Sequence, residues 1–212
     1  MKLILSGGGS GEQVKSSYKK YIDLLDMEKP VLYIPLAWEK NNYDMCLEWL
    51  KGELTPFGIN KYKVLGDVKE FDNINLHDYN SLFIGGGNTY KLLNYLKNSK
   101  GFELIKKYIE NDGVVFGGSA GAIIFGKDIK SCNICSEDEN LWEDLDTTGF
   151  DVCDGKSIAC HYGEEGKFEE HDKQIKIYEE KGFKLLLLTE EQSLYINEGV
   201  SKIIDDKNIQ FN

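Results

Sequence analysis

Three apolar runs of strand length in this chain end in glycine clusters. Residues 3–6 run into Gly7-Gly8-Gly9-Ser10-Gly11, residues 81–84 into Gly85-Gly86-Gly87-Asn88-Thr89, and residues 113–116 into Gly117-Gly118-Ser119-Ala120-Gly121-Ala122. Each cluster leads into a segment with helical periodicity. A strand that turns sharply into a helix three times over commits the chain to an α/β fold, a parallel sheet with helical crossovers. In such sheets ligands bind beyond the carboxyl ends of the strands, so the three glycine turns are expected to converge on one cleft.

The intervening segments fit this reading. Val14, Tyr18, Tyr21, Ile22 and Leu25 keep the spacing of one buried helical face and predict a helix over 12–25. Strands are expected at 31–35 and 61–65, with a helix over 43–54 between them that stops near Pro56 and Gly58. Leu92, Leu93 and Leu96 mark another helix, 104–109 a further one, and Ile123 to Phe125 continue as a helix after the third glycine cluster. Beyond it come an acidic stretch at 137–146, a strand at 157–160, a charged helix at 168–180, and strands at 185–188, 194–196 and 201–204. The acidic stretch reads as a solvated face.

At 212 residues, against roughly 150 per domain, the chain is expected to form one domain over 1–212. The net charge of −11 argues against nucleic acid or anionic lipid as partners. No stretch approaches the roughly 18 apolar residues of a membrane span, and the first apolar run is too short for a signal sequence. Five cysteines without framework spacing suit reduced thiols, and together these features predict a cytoplasmic protein. All 25 basic side chains are lysines, so no bidentate guanidinium clamp exists for a carboxylate or phosphate. Oligomeric state stays open.

Gly117-Gly118-Ser119-Ala120-Gly121 is a G-x-S-x-G between strand and helix, the context of a nucleophile elbow. The serine must sit on a tight, strained turn, and small neighbours admit a substrate to it. A serine nucleophile needs a base, and the candidates are His77, His161 and His171. His77 precedes the 81–84 strand, at the end away from Ser119, and reads as a surface residue. His161 closes the 157–160 run, where a side chain overhangs a carboxyl-end cleft, and is preferred over His171. Glu190, Glu191, Glu137, Asp138 and Asp146 are candidate acidic partners that placement alone does not rank. For an oxyanion, the backbone N–H groups of Ala120 and Gly87 are the natural donors. Trp38 either lines the cleft or packs.

A nucleotide role is disfavoured, because Gly85-Gly86-Gly87 has no lysine at the P-loop position and completes no G-x-G-x-x-G. Cys132-Asn133-Ile134-Cys135 lacks the second pair a zinc site requires, so no metal or cofactor is expected.

Gly85-Gly86-Gly87-Asn88-Thr89 followed by Gly117-Gly118-Ser119-Ala120-Gly121-Ala122, with Tyr33-Ile34-Pro35 in the second strand, resembles peptidase family S51, the family of dipeptidase E and cyanophycinase. The resemblance is close over the first 125 residues and looser to about Gly199. It implies a class I glutamine-amidotransferase-like, flavodoxin-like three-layer sandwich with serine as nucleophile. It also implies Ser119 as nucleophile, His161 as base, Glu190 as third member, and Gly87 and Ala120 as oxyanion donors. Aspartyl-specific members are expected to hold the substrate carboxylate with an arginine shortly after the histidine. This chain has His171 and Lys173 in that neighbourhood, and a lysine pairs only as a point charge. Asn88, Thr89, His171 and Lys173 are the candidate substrate contacts.

The function expected is that of a serine-type dipeptidase acting on small peptides. Two rivals use the same fold: a hydrolase of a non-peptide amide or ester, distinguished by a substrate panel, and a non-catalytic binding domain, distinguished by failure to react with a serine-directed phosphonate.

Overall fold

The computed structural model describes residues 1–208, so the last four residues of the expected domain lie outside the described residues. In chain order the strands and helices are β1 (Lys2–Ser6), α1 (Lys15–Ile22), β2 (Val31–Ile34), α2 (Tyr43–Leu54), β3 (Tyr62–Val64), β4 (Ser81–Ile84), α3 (Thr89–Lys97), α4 (Gly101–Glu110), β5 (Val114–Gly118) and α5 (Ala120–Ile123). β6 (Ser157–Ala159), α6 (Phe168–Glu180), β7 (Leu185–Leu187), β8 (Gln192–Asn197) and β9 (Val200–Asp205) complete them. A seven-stranded sheet runs in the order β3-β2-β4-β5-β1-β8-β9, with β6 and β7 as a separate parallel pair. The first five strands of the large sheet are parallel, and β8 and β9 join antiparallel at one edge.

The sheet divides the core by strand alternation. Leu3, Leu5, Leu32, Ile34, Leu82, Ile84 and Val115 face α3, α4 and α5. Ile4, Tyr33, Phe83 and Phe116 face the opposite way, with Val14, Tyr18 and Tyr21 above them from the first crossover and Cys46, Leu50 and Leu54 from α2. Helices therefore cover both faces of a mostly parallel sheet, giving the α/β sandwich expected.

Several boundaries differ from the pattern. The helix expected over 12–25 is a 3₁₀ turn, Gly11–Val14, followed by the shorter α1. The helix after Ser119 ends at Ile123, after which the chain folds back so that Phe150 N–H donates to Ile124 C=O at 2.8 Å. β6 and β7 pair only with each other, which periodicity within each run cannot reveal.

The acidic stretch is solvated along most of its length, as expected, but it is also strapped to the body at several points. Asp138 accepts the Thr89 N–H at 2.7 Å, Glu139 C=O accepts from the Asn88 amide at 2.9 Å, and Trp142 and Leu145 pack on the core. Lys97 donates to Asp146, and that hydrogen bond holds the carboxyl down at about 2.

Close backbone approach fixes α5 against the sheet. A Cβ on Gly121 would lie 2.1 Å from Ile84 C=O, an atom locked in the β4 ladder. Gly121→Ala is expected to cost about 1–3 kcal/mol, read as a lower urea midpoint at unchanged m.

Candidate active site

The site is assembled where β1 and β5 end side by side. Ser6 pairs with Gly118 in register, and the next N–H, that of Ser119, donates to Ser6 C=O at 3.1 Å. The chain then turns abruptly into α5, forcing Ser119 to φ 52°, ψ −114°. A non-glycine residue in that region is strained by about 1–3 kcal/mol, and here the strain lifts the hydroxyl off the strand end. As the first residue of α5, Ala120 has an N–H without an intrahelical acceptor. The neighbouring glycine turn runs directly alongside: a Cβ on Gly86 would lie 3.2 Å from Ser119 Cβ and 3.7 Å from its Oγ. Gly87 follows at φ 124°.

His161 also has a left-handed backbone, with φ 61°. Its N–H donates to Gly7 C=O at 2.9 Å, while the next N–H, of Tyr162, donates to Leu188 C=O at 3.1 Å. Ser119 Oγ and His161 Nε2 are 2.8 Å apart, and His161 Nδ1 is 3.2 Å from Glu190 Oε1. The Gln13 amide donates to the other oxygen of Glu190 at 3.2 Å, and Gly9 N–H donates to Glu190 C=O at 3.2 Å. The hydroxyl, imidazole and carboxylate thus form one hydrogen-bonded series, with the imidazole and carboxylate largely shielded from solvent.

The other acidic candidates lie elsewhere. Glu191 pairs with Lys207, Asp138 with the Thr89 N–H and Asp146 with Lys97, while Glu137 is exposed. Sequence reasoning missed Glu164, whose Oε2 is 3.7 Å from His161 Nδ1. His161, Glu164 and Glu190 bring potential metal-ligand atoms within 4.8 Å of one another, but a cation there would take Nδ1 from Glu190. His77 is exposed, as expected, and its ring lies against Tyr108.

The four expected substrate contacts are placed differently. Asn88 caps α3, accepting the Lys91 N–H at 2.8 Å, and its amide holds the acidic strap; Thr89 is buried beneath the strap. His171 is buried as well, and its Nδ1 accepts the Gly163 N–H at 3.0 Å, bracing the turn that carries His161. Lys173 is exposed on α6.

Burial pushes up every thiol: Cys135 and Cys153 to about 12, with Cys46, Cys132 and Cys160 raised as well. Beside Ser119 opens a cavity of about 450 Å³ floored by aromatic side chains that include Tyr33, Phe83 and Phe116. Of its aromatic walls sequence reasoning saw only Trp38. The recoverable signal was an aromatic residue near the carboxyl end of each of three adjacent parallel strands.

A serine on a strand-to-helix turn, hydrogen-bonded through histidine to a carboxylate, is the arrangement of a serine hydrolase on a parallel α/β sheet. The family model of Peptidase family S51 matches residues 3–204, and the chain belongs to that family. Among curated relatives, Peptidase E of Haemophilus influenzae (strain Rd) is 30% identical over 105 residues, covering 50% of this chain and 47% of the relative. Peptidase E of Shewanella denitrificans is 29% identical over 105 residues, covering 50% and 44%. The matched stretch thus spans about half the length of these relatives. A structure assigned to peptidase E from Listeria monocytogenes EGD-e superposes with TM-score 0.78 at 20% identity, covering 96% of this chain and 98% of that one. A peptidase from an acI-B1 Actinobacterium gives TM-score 0.69 at 20% identity, covering 96% and 87%. These two likenesses show the fold. Among the described residues no helix is long and apolar enough to cross a membrane.

The room for the imidazole depends on Gly8, whose φ is 123° and where a Cβ would fall 2.1 Å from His161 Cε1. Gly8→Ala is expected to displace the ring and slow labelling of Ser119 by a fluorophosphonate at least about 100-fold, with circular dichroism unchanged.

Proposed function

We propose that this protein is a serine peptidase of short peptides, with Ser119 as nucleophile, His161 as base and Glu190 as the group that orients it. The observation that carries the reading is the series Ser119 Oγ–His161 Nε2–Glu190, at 2.8 Å and 3.2 Å, on a strained turn at the mouth of a cavity. With Nδ1 protonated and donating to Glu190, Nε2 is free to accept the hydroxyl proton. Ser119 Oγ then attacks the scissile carbonyl, and its proton passes to His161. The C–N bond breaks as His161 gives that proton to the departing amine. Water, deprotonated by the same nitrogen, next attacks the acyl-serine, releasing the acid and restoring the hydroxyl.

The developing oxyanion is met by the N–H of Ala120 and by that of Gly87 across the cleft. Glu190 stabilises the imidazolium formed in each half-reaction, and Gln13 fixes the carboxylate. Each step uses only side chains and backbone of this chain together with peptide and water. The five free thiols support residence in a reducing cytoplasm.

Ser119→Ala is expected to lower kcat by about 10⁶-fold, and Glu190→Gln by about 10⁴-fold with little change in KM, measured as free amino acid released from a dipeptide panel. Wild-type-like turnover by purified Ser119→Ala would remove the mechanism.

A further inference from the structure

The cavity beside Ser119 has a built floor. Tyr33, Phe83 and Phe116 are in register across β2, β4 and β5, and each is buried. Phe83 and Phe116 stack with centroids 4.8 Å apart, and Tyr33 meets Phe83 edge-on at 5.9 Å. Tyr18 closes one wall against Phe116 and Trp49 the other against Phe83. At the rim, Trp38 and Trp49 are each 42% exposed and Met45 59%, apolar surface turned outward beside the reacting hydroxyl.

Charge is the second observation. Among the described residues, none of the side chains lining the cavity is charged, although the chain has 25 lysines to place. Glu53, whose carboxylate accepts the Gly11 N–H at 2.7 Å, is the acidic group whose charge bears on Tyr18 of the wall, helping to hold that phenol protonated. A substrate carboxylate buried here would lose its water without meeting a cation, whereas an aromatic ring would exchange water for rings.

Orientation follows from the proton's path. His161 must reach the departing amine, so the amine side of the scissile bond lies toward His161. The cavity reaches from Gly8, beside the imidazole, to the Gly86-Gly87 turn that offers the proposed oxyanion donor, and its floor on β2, β4 and β5 lies under that turn, on the acyl side of Ser119. We propose that it receives the side chain of the residue whose carbonyl is attacked, and that the enzyme selects dipeptides with a large aromatic N-terminal residue over those beginning with aspartate. The volume, about 450 Å³, holds a benzyl or indolyl group with room for its backbone. The inference rests on the peptidase reading for turnover, but the pocket's preference is measurable without it.

The test uses Phe-Ala, Ala-Phe, Ala-Ala and Asp-Ala in two assays: turnover by the wild type, and binding to Ser119→Ala followed by the fluorescence of Trp38 and Trp49. Phe-Ala is expected to exceed Ala-Ala at least about tenfold in both kcat/KM and affinity, with Ala-Phe near Ala-Ala and Asp-Ala below it. In Trp49→Ala the Phe-Ala to Ala-Ala ratio is expected to fall. Equal binding of Phe-Ala and Ala-Ala, preference for Ala-Phe, or preference for Asp-Ala overturns the pocket assignment, even if Ser119-dependent turnover is intact. Selective binding of Phe-Ala without turnover of any dipeptide overturns the peptidase reading and leaves the pocket standing.

Discussion

The parallel pairing of β1 with β5 governs the site. It puts Ser6 opposite Gly118, so that the next backbone N–H, that of Ser119, is captured by Ser6 C=O before α5 begins. The same end of β1 continues into Gly7 and Gly9, whose backbone groups take the N–H of His161 and reach the C=O of Glu190. One strand end therefore fixes three side chains that are far apart in sequence. Hydrogen bonds from main chain to main chain do this with little backbone freedom left over, so the three side chains start from fixed positions.

Stability and access are arranged on opposite faces of that sheet. On one face α3, α4 and α5 seal an aliphatic core, with glycines at 117 and 121 letting helix and strand backbones touch. On the other, α1 and α2 pack over the aromatic row of Tyr33, Phe83 and Phe116, and the cavity opens beside that row near the strand ends. The acidic strap belongs to the sealed side. Two of its six carboxylates are engaged with α3, Asp138 with the Thr89 N–H at the start of the helix and Asp146 with Lys97 at its end.

The parallel sheet and the meeting of Ser119 with His161 were legible because each rests on local signals: a glycine turn after an apolar run, and a histidine at the end of another. Those signals act within a few residues and survive in one dimension. Glu190 was legible as one of several carboxylates, and it took a resemblance to prefer it, since the groups that separate it from Glu191 are Gln13 and Gly9 at the far end of the chain. Asn88, Thr89 and His171 meet the same limit. Each is a polar residue beside the cleft, and whether it faces substrate or braces backbone is set by partners such as Glu139, Asp138 and Gly163, which only the tertiary fold supplies.

The raised thiols carry a chemical consequence. Reaction with peroxide or an alkylating reagent proceeds through thiolate, and at neutral pH burial leaves almost none of it on Cys46, Cys132, Cys135, Cys153 or Cys160. The soft nucleophiles are muted, while the Ser119 hydroxyl stands at the cleft within hydrogen-bond distance of His161. Oxidants that act through thiolate therefore find little to react with among these five side chains.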